Sequence, residues 1–240
     1  MSSENVVKLK RSRPRAWAFY IVCDVSNSMW REDGASGRLT PYQTISDSLP
    51  QLVRDLNDDE QARDIAHISV VSFSDGIQEI VPLTRLRDVK ALAILGKGTF
   101  TDYQKIFSYL AHKIALDSGT LREKYDIYTP TVFFLTDGYP QVKAGVQPEV
   151  LWRVPLDKLK DKQFVSRPSL VAMGFGNAGE EVLKIIASNT PGGVACIAEN
   201  GVPSSDLLQA ILDSIVFSIT NSTDKGQLVF EIPSGMRRII

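Results

Sequence analysis

An α/β fold is the class the sequence predicts: a mainly parallel sheet, covered by helices on both faces, with one antiparallel strand at an edge. Three observations predict it. Residues 16–23, 131–135 and 169–174 are runs made almost entirely of apolar residues, which is how strands buried on both faces read. These runs alternate with segments of helical periodicity, the pattern of a sheet built from crossover connections. One pair of strand-like segments is instead separated only by Ser74-Asp75-Gly76, which spells a hairpin.

The elements follow in order. The first strand covers residues 16–23 and ends in Asp24. Thr40 reads as an N-cap with Pro41 at the first helical position, and residues 42–56 follow at helical spacing. Pro50 is expected to kink or shorten that helix, because it removes a donor and crowds the preceding turn. Residues 67–73 and 78–83 form the hairpin. Residues 102–116 are helical, with Ile106, Tyr109, Leu110, Lys113 and Ile114 along one face. The strand at 131–135 runs into Thr136-Asp137-Gly138. Then come a short amphipathic helix at 156–162, a strand at 169–174, a helix at 180–188, a strand at 194–198 and a helix at 205–219. A strand-like tail, 227–233, closes the chain. No repeat or long linker divides it, so the expected organisation is a basic arm (1–15), one domain (16–220) and a tail (221–240).

Composition excludes several function classes. The chain has 240 residues, with 27 Lys+Arg against 28 Asp+Glu. That balance argues against a whole-chain nucleic-acid binder, which needs a basic surplus for phosphate contacts. Cys23 and Cys196 are too few for a disulfide scaffold or a four-cysteine zinc site. Both sit in strands and read as small buried apolar residues. His67 begins a strand and His112 lies within a helix, so neither suits a Ser-His-Asp hydrolase. The first apolar run is too short, and too quickly followed by Asp24, to be a signal-peptide core. No stretch approaches the ~20 residues that span a membrane. A cytoplasmic setting with reduced thiols is the expectation. Lys8, Lys10, Arg11, Arg13 and Arg15 read as a solvated arm. The charged run at 54–64 reads as a solvated helix end, since it lacks the central glycine of a calcium loop.

The chemistry gathers at strand ends, where open α/β sheets bind ligands. Asp24-Val25-Ser26-Asn27-Ser28 follows the first strand. In an extended segment residues i, i+2 and i+4 point the same way, so Asp24, Ser26 and Ser28 could face one point. Thr136-Asp137-Gly138 follows a second strand, and Gly98-Thr99-Phe100-Thr101 precedes a helix. Carboxylate and hydroxyl oxygens are hard ligands that suit Mg²⁺, Mn²⁺ or Ca²⁺ rather than zinc. The plainer alternative is that the serines cap the next helix and Asp24 is a turn residue.

Taken together, three motifs resemble a von Willebrand factor A (VWA) domain over roughly residues 16–220. They are Asp24-x-Ser26-x-Ser28-Met29 after Phe19-Tyr20-Ile21-Val22, the Gly98–Thr101 loop, and Phe133-Phe134-Leu135-Thr136-Asp137-Gly138. Within that family the tellurite-resistance TerY-like group is the nearest in style. The resemblance implies a doubly wound, Rossmann-like sheet and a metal-ion-dependent adhesion site. Asp24, Ser26 and Ser28 would then be first-loop ligands, and Asp137 would bind the ion through water. The family's threonine precedes an apolar helix residue by six positions. Thr101 satisfies this through Phe107; Thr99 points to Lys105 and stands as the alternative. The implied function is metal-dependent binding of a protein partner that presents Asp or Glu, with no catalysis. Trp30, Phe100 and Tyr139 flank the loops as rim candidates. The TerY-like resemblance further implies a bacterial stress or defence setting beside a kinase and a phosphatase. An insertion at residues 30–38, between Trp30 and Arg38, departs from the family pattern.

Two rival readings share parts of the same sequence. Gly174-Phe175-Gly176-Asn177-Ala178-Gly179, with Glu199 about 20 residues on, matches a Rossmann nucleotide-binding fingerprint. The strand comes too late in the chain for a second half to follow. A metal-dependent phosphotransfer enzyme would need a second aspartate where Ser26 stands, and a general acid.

Overall fold

A computed structural model describes residues 13–31, 38–90 and 92–240. Residues 1–12 of the basic arm and 32–37 of the insertion lie outside the described residues. The strands and helices, in chain order, are β1 (Arg15–Asp24), α1 (Pro41–Asp58), α2 (Glu60–Ile65), β2 (Ala66–Phe73), β3 (Ile77–Arg85), α3 (Tyr103–Arg122), β4 (Asp126–Ile127), β5 (Thr131–Thr136), β6 (Gln141–Val142), β7 (Gly145–Val146), α4 (Glu149–Lys160), β8 (Ser169–Gly174), α5 (Glu180–Ala187), β9 (Val194–Ala198), α6 (Ser204–Lys225) and β10 (Met236–Arg238). The main sheet runs β10-β9-β8-β5-β1-β2-β3, with β4 beside the start of β1. The central pairings are parallel.

β1 explains why its run is apolar throughout. Trp17, Phe19, Ile21 and Cys23 enter one core. There they join Ile45, Leu49, Leu52 and Leu56 of α1 and Leu208, Ile211, Ile215 and Ile219 of α6. Ala18, Tyr20 and Val22 enter the other, with Ile106, Phe107 and Leu110 of α3, Trp152 and Leu156 of α4, and Leu183 of α5. Side chains alternate across a strand, so both sets must be apolar when both faces are covered.

The hairpin is present: β2 and β3 are antiparallel across Ser74-Asp75-Gly76. One edge expectation needs correction, because the sheet has an antiparallel strand at each edge. β10 pairs antiparallel with β9, whereas the expected tail strand at 227–233 is irregular. Leu228, Phe230 and Ile232 do alternate onto the core. Their backbone, however, is satisfied by a hydroxyl ladder one helical turn apart on α6. Ser214 donates to the Glu231 carbonyl, Ser218 to that of Val229, and Ser222 accepts from the Val229 N–H. An apolar alternation reads the same whether a strand or a helix supplies its hydrogen bonds.

Helix lengths differ as well. Thr40 caps α1 as expected, in a reciprocal capping box with Gln43. Pro50 does not shorten α1, which continues to Asp58. Burial of the stripe from Ile45 to Leu56 exceeds the ~3 kcal/mol an internal proline costs. α4 starts at Glu149 rather than 156, and α3 and α6 run beyond 116 and 219. The expected boundary at 220 therefore falls inside α6. Among the described residues, no helix is long and apolar enough to cross a membrane.

Candidate metal centre

β1 and β5 are adjacent and parallel, with Cys23 level with Leu135. Their last residues, Asp24 and Thr136, therefore meet at the same rim of the sheet. From there the chain leaves β1 towards β2 on one side and β5 towards β8 on the other. That is a topological switch point, where neighbouring loops part and leave a crevice. A cleft of about 450 Å³ opens there, and Ser26, Ser28, Thr99, Thr101 and Asp137 line it.

Asp24 is fully buried and lies behind these residues. The Ser26 N–H donates to its Oδ1 at 2.9 Å, and the Thr136 hydroxyl donates to its Oδ2 at 2.8 Å. Tyr103 in turn donates to Thr136 Oγ1 at 3.1 Å. The two serine hydroxyls are 3.2 Å apart, and Ser28 Oγ donates to Asp137 Oδ1 at 2.8 Å. The residues expected to share a point from sequence thus do so, with Asp137 joined to them from the other strand.

Burial pushes the Asp24 carboxyl up to about 7, and the charge of Asp137 adds to the rise. The bonds from Ser26 and Thr136 pull the other way. A divalent cation would reverse this balance, because a positive neighbour favours the ionised form of both carboxylates. The donor set fits a hard cation: two carboxylates and three hydroxyls, with no imidazole or thiol. Among the described residues no group of three or more His, Cys, Asp or Glu side chains is placed to hold a metal, so hydroxyls must complete any such site.

The two threonines are placed differently. Thr101 is buried, and a methyl group on Gly138 would lie 3.9 Å from its hydroxyl oxygen. Its backbone exchanges two hydrogen bonds with Gln141, each 2.9 Å. Thr99 is exposed, and its N–H donates to Asp75 at 2.7 Å. Phe107, six residues after Thr101, is in the core, whereas Lys105 is exposed. The loop also needs Gly98, where a Cβ would stand 1.7 Å from the Ser74 hydroxyl.

Of the three rim aromatics, Phe100 and Tyr139 line the cleft. Trp30 is packed away: it stacks on Tyr42 at 4.6 Å and donates to the Val25 carbonyl, and Lys97 Nζ lies 3.4 Å from its ring centre. Three supports were not foreseen. Thr136 and Tyr103 hold Asp24, and Gln147 donates to Asp102 at 2.7 Å while accepting from the Tyr103 N–H. Thr136 sat in a motif already noted; nothing in the sequence marked Gln147.

The glycine-rich turn is occupied by the protein itself. Gly176 has φ +58°, and a Cβ there would lie 3.1 Å from the Asp137 carbonyl. Cβ atoms at Gly174 and Gly179 would strike Leu183 and Tyr139. Glu180 and Glu181 fill the first turn of α5, where a pyrophosphate would need positive potential. The turn therefore holds Asp137 in place, with Asn177 N–H donating to its carbonyl at 2.7 Å. The thiols of Cys23 and Cys196 are buried and pushed up to about 12, mainly by burial. His67 packs edge-on against Tyr125 at the opposite end of β2.

Fold and site together define a doubly wound α/β domain with an oxygen-lined crevice at its switch point. The family model of the von Willebrand factor type A domain matches residues 19–210, and the chain belongs to that family. Proximal thread matrix protein 1 from the mussel byssus is similar at 17% identity, covering 87% of this chain and 49% of that one, with TM-score 0.56. A form of that protein described with a zinc-occupied MIDAS motif is 18% identical, covers 87% and 48%, and has TM-score 0.55. A von Willebrand factor type A protein from Catenulispora acidiphila is 13% identical, covers 86% and 43%, and has TM-score 0.54. At such identities the likeness is one of fold. This chain spans about half or less of those solved chains. No match was found among curated proteins.

Proposed function

We propose that this domain is a metal-dependent interaction module rather than an enzyme. Asp24, Ser26, Ser28 and Thr101 hold a divalent cation, with Asp137 acting through water, and an acidic side chain of a protein partner completes the coordination. One observation carries the reading: hydroxyls from two loops and the Asp137 carboxylate line one open cleft, with the buried Asp24 carboxylate held directly behind Ser26. Thr101 is preferred over Thr99 because it is the threonine set against Gly138. The donor chemistry favours Mg²⁺, with Mn²⁺ or Ca²⁺ as substitutes. The zinc named for the mussel protein supports metal binding at the motif, not the choice of ion. The metal gives direction, and the surrounding loops give selectivity.

The finer assignment extends the same reading. The domain belongs to a TerY-like, cytoplasmic group and works in bacterial stress or defence signalling, with a kinase or phosphatase as partner. It rests on the motif style noted in the sequence.

Calorimetric titration of Mg²⁺ and Mn²⁺ into chelator-treated protein tests the core of the proposal. Binding of one equivalent that is lost in Asp24→Ala is the expected result. Equal binding by a folded Asp24→Ala protein would sink it.

A further inference from the structure

Ten large hydrophobic side chains are exposed among the described residues, and five of them fall between positions 139 and 154. They are Tyr139, Val146, Val150, Leu151 and Val154. Tyr139 and Val146 belong to the wall of the metal cleft itself. Val146 lies on β7, which pairs with β6, and β6 begins at the Gln141 that bridges to Thr101. α4 starts three residues later. At 100° per residue, Val150 and Val154 lie on the side of α4 opposite the buried Trp152. They are 65% and 66% exposed, and Trp152 is 2% exposed.

The fold does not account for these valines. They add nothing to either core, and β-branched residues are mediocre helix formers at exposed positions. They also blur the helical pattern over residues 149–155, because apolar side chains stand on the exposed side as well as around the buried Trp152. Val146 and Tyr139 form part of the cleft wall, and in the chain exposed apolar side chains follow directly from Val146 into the first turns of α4.

We infer that the β6–β7 hairpin and the outer face of α4 form a docking ridge continuous with the metal cleft. It takes a partner-protein segment that carries one acidic residue and, a few residues away, a pair of aliphatic side chains. The inference rests on the proposed metal site and specifies which acidic partners that site accepts. The carboxylate supplies charge complementarity at the cleft. The aliphatic pair removes Val146, Val150 and Val154 from water.

The test uses the whole chain and a panel of twelve-residue synthetic peptides. Each peptide has a single Asp or Glu, followed three and four residues later by Leu-Leu or by Ser-Ser. Fluorescence anisotropy is read in Mg²⁺ and in chelator. The proteins are wild type, Asp24→Ala and the double variant Val150→Ser/Val154→Ser, which removes the aliphatic surface without adding charge, whose positions are solvent-exposed and whose folding is checked by thermal melt. The expected result is Mg²⁺-dependent binding of the Leu-Leu peptides, weakened about tenfold or more in the ridge variant. Ser-Ser peptides should bind wild type and ridge variant alike, the signature of a coupled pair.

Equal affinity of the ridge variant for Leu-Leu peptides would overturn the ridge and leave the metal site standing. Binding that responds neither to chelator nor to Asp24→Ala would overturn the metal reading, and the ridge with it. Sedimentation is the last arm. A wild-type dimer that the ridge variant dissolves would show the occupant to be a second copy, and would overturn the proposal.

Discussion

The two ends of the β1–β5 pair carry the same residue type to opposite effect. Thr131 opens β5 and Thr136 closes it, and both are fully buried. At the first end Thr131 Oγ1 accepts from the Trp17 indole at 3.3 Å. Trp17 is stacked on Phe19 and Tyr128, so the polar pair is neutral and enclosed in aromatic packing. At the other end Thr136 donates to the Asp24 carboxylate, and the neighbouring hydroxyls look into a cleft. A buried hydroxyl paired with a neutral donor closes a structure. One paired with a buried charge leaves that charge to be balanced, and the sheet's winding decides which end has the crevice.

Substitutions that separate the two ends sharpen the comparison. The largest effect falls on Asp24. Asp24→Ala is expected to lower Mg²⁺ affinity at least about 100-fold, beyond the 10–100-fold usual for residues that only support ligands. The metal-free protein should stay folded, because the substitution also removes a carboxylate whose ionisation burial opposes. Calorimetry and a thermal melt check both halves.

Acidity gives the next effect. Burial, with the charge of Asp137 added, pushes the Asp24 carboxyl up to about 7 in the fold, whereas an unfolded carboxylate titrates near 4. Between those values the folded, metal-free protein holds a proton that the unfolded chain has released. Its contribution to stability is full below about 4 and is lost as pH rises through 7. Metal binding runs the other way, since the ion must displace that proton. Mg²⁺ affinity should therefore fall about tenfold per unit below pH 7, while the chelated protein melts higher at pH 5 than at pH 7.5. A flat affinity profile would place the charge outside the site.

Thr101→Ala against Thr99→Ala comes third. Loss of about tenfold in Mg²⁺ affinity is expected for Thr101 and little change for Thr99, whose N–H bond to Asp75 needs no side chain. The opposite ranking would make Thr99 rather than Thr101 the contribution of the 98–101 loop.

Much of this was legible in the sequence, for identifiable reasons. The unbroken run at 16–23 could only be a strand covered twice, and Asp24, Ser26 and Ser28 follow it at a fixed spacing. Ser74-Asp75-Gly76 fixed the hairpin. What failed to show depends on partners distant in the chain. β10 is short, and its pairing with β9 has no local signature. Gln147 looks like any loop glutamine until it meets Asp102 and the start of α3. Trp30 stood beside a ligand loop, yet Tyr42 and Lys97 decide its orientation. Within the candidate site, the loops that carry the proposed ligands were local and readable, whereas the residues that hold them were not.

The smallest effect belongs to the closed end and completes the contrast. Thr131→Val keeps the shape of the side chain and strands the Trp17 indole N–H in a buried setting. Loss of one neutral buried hydrogen bond costs about 1–2 kcal/mol, a drop in Tm of roughly 2–8 °C for a chain of this size. Mg²⁺ affinity should not change. Thr136→Val removes the same atom from the other end of the strand. Its stability cost should be larger, because Asp24 and the Tyr103 hydroxyl both lose a partner, and Mg²⁺ affinity should also fall about tenfold, because Asp24 loses the donor that fixes its Oδ2. The pair differs only in what each hydroxyl touches. If both variants lost stability and neither lost metal affinity, the two ends would be equivalent, and the carboxylate beneath the cleft would be structural.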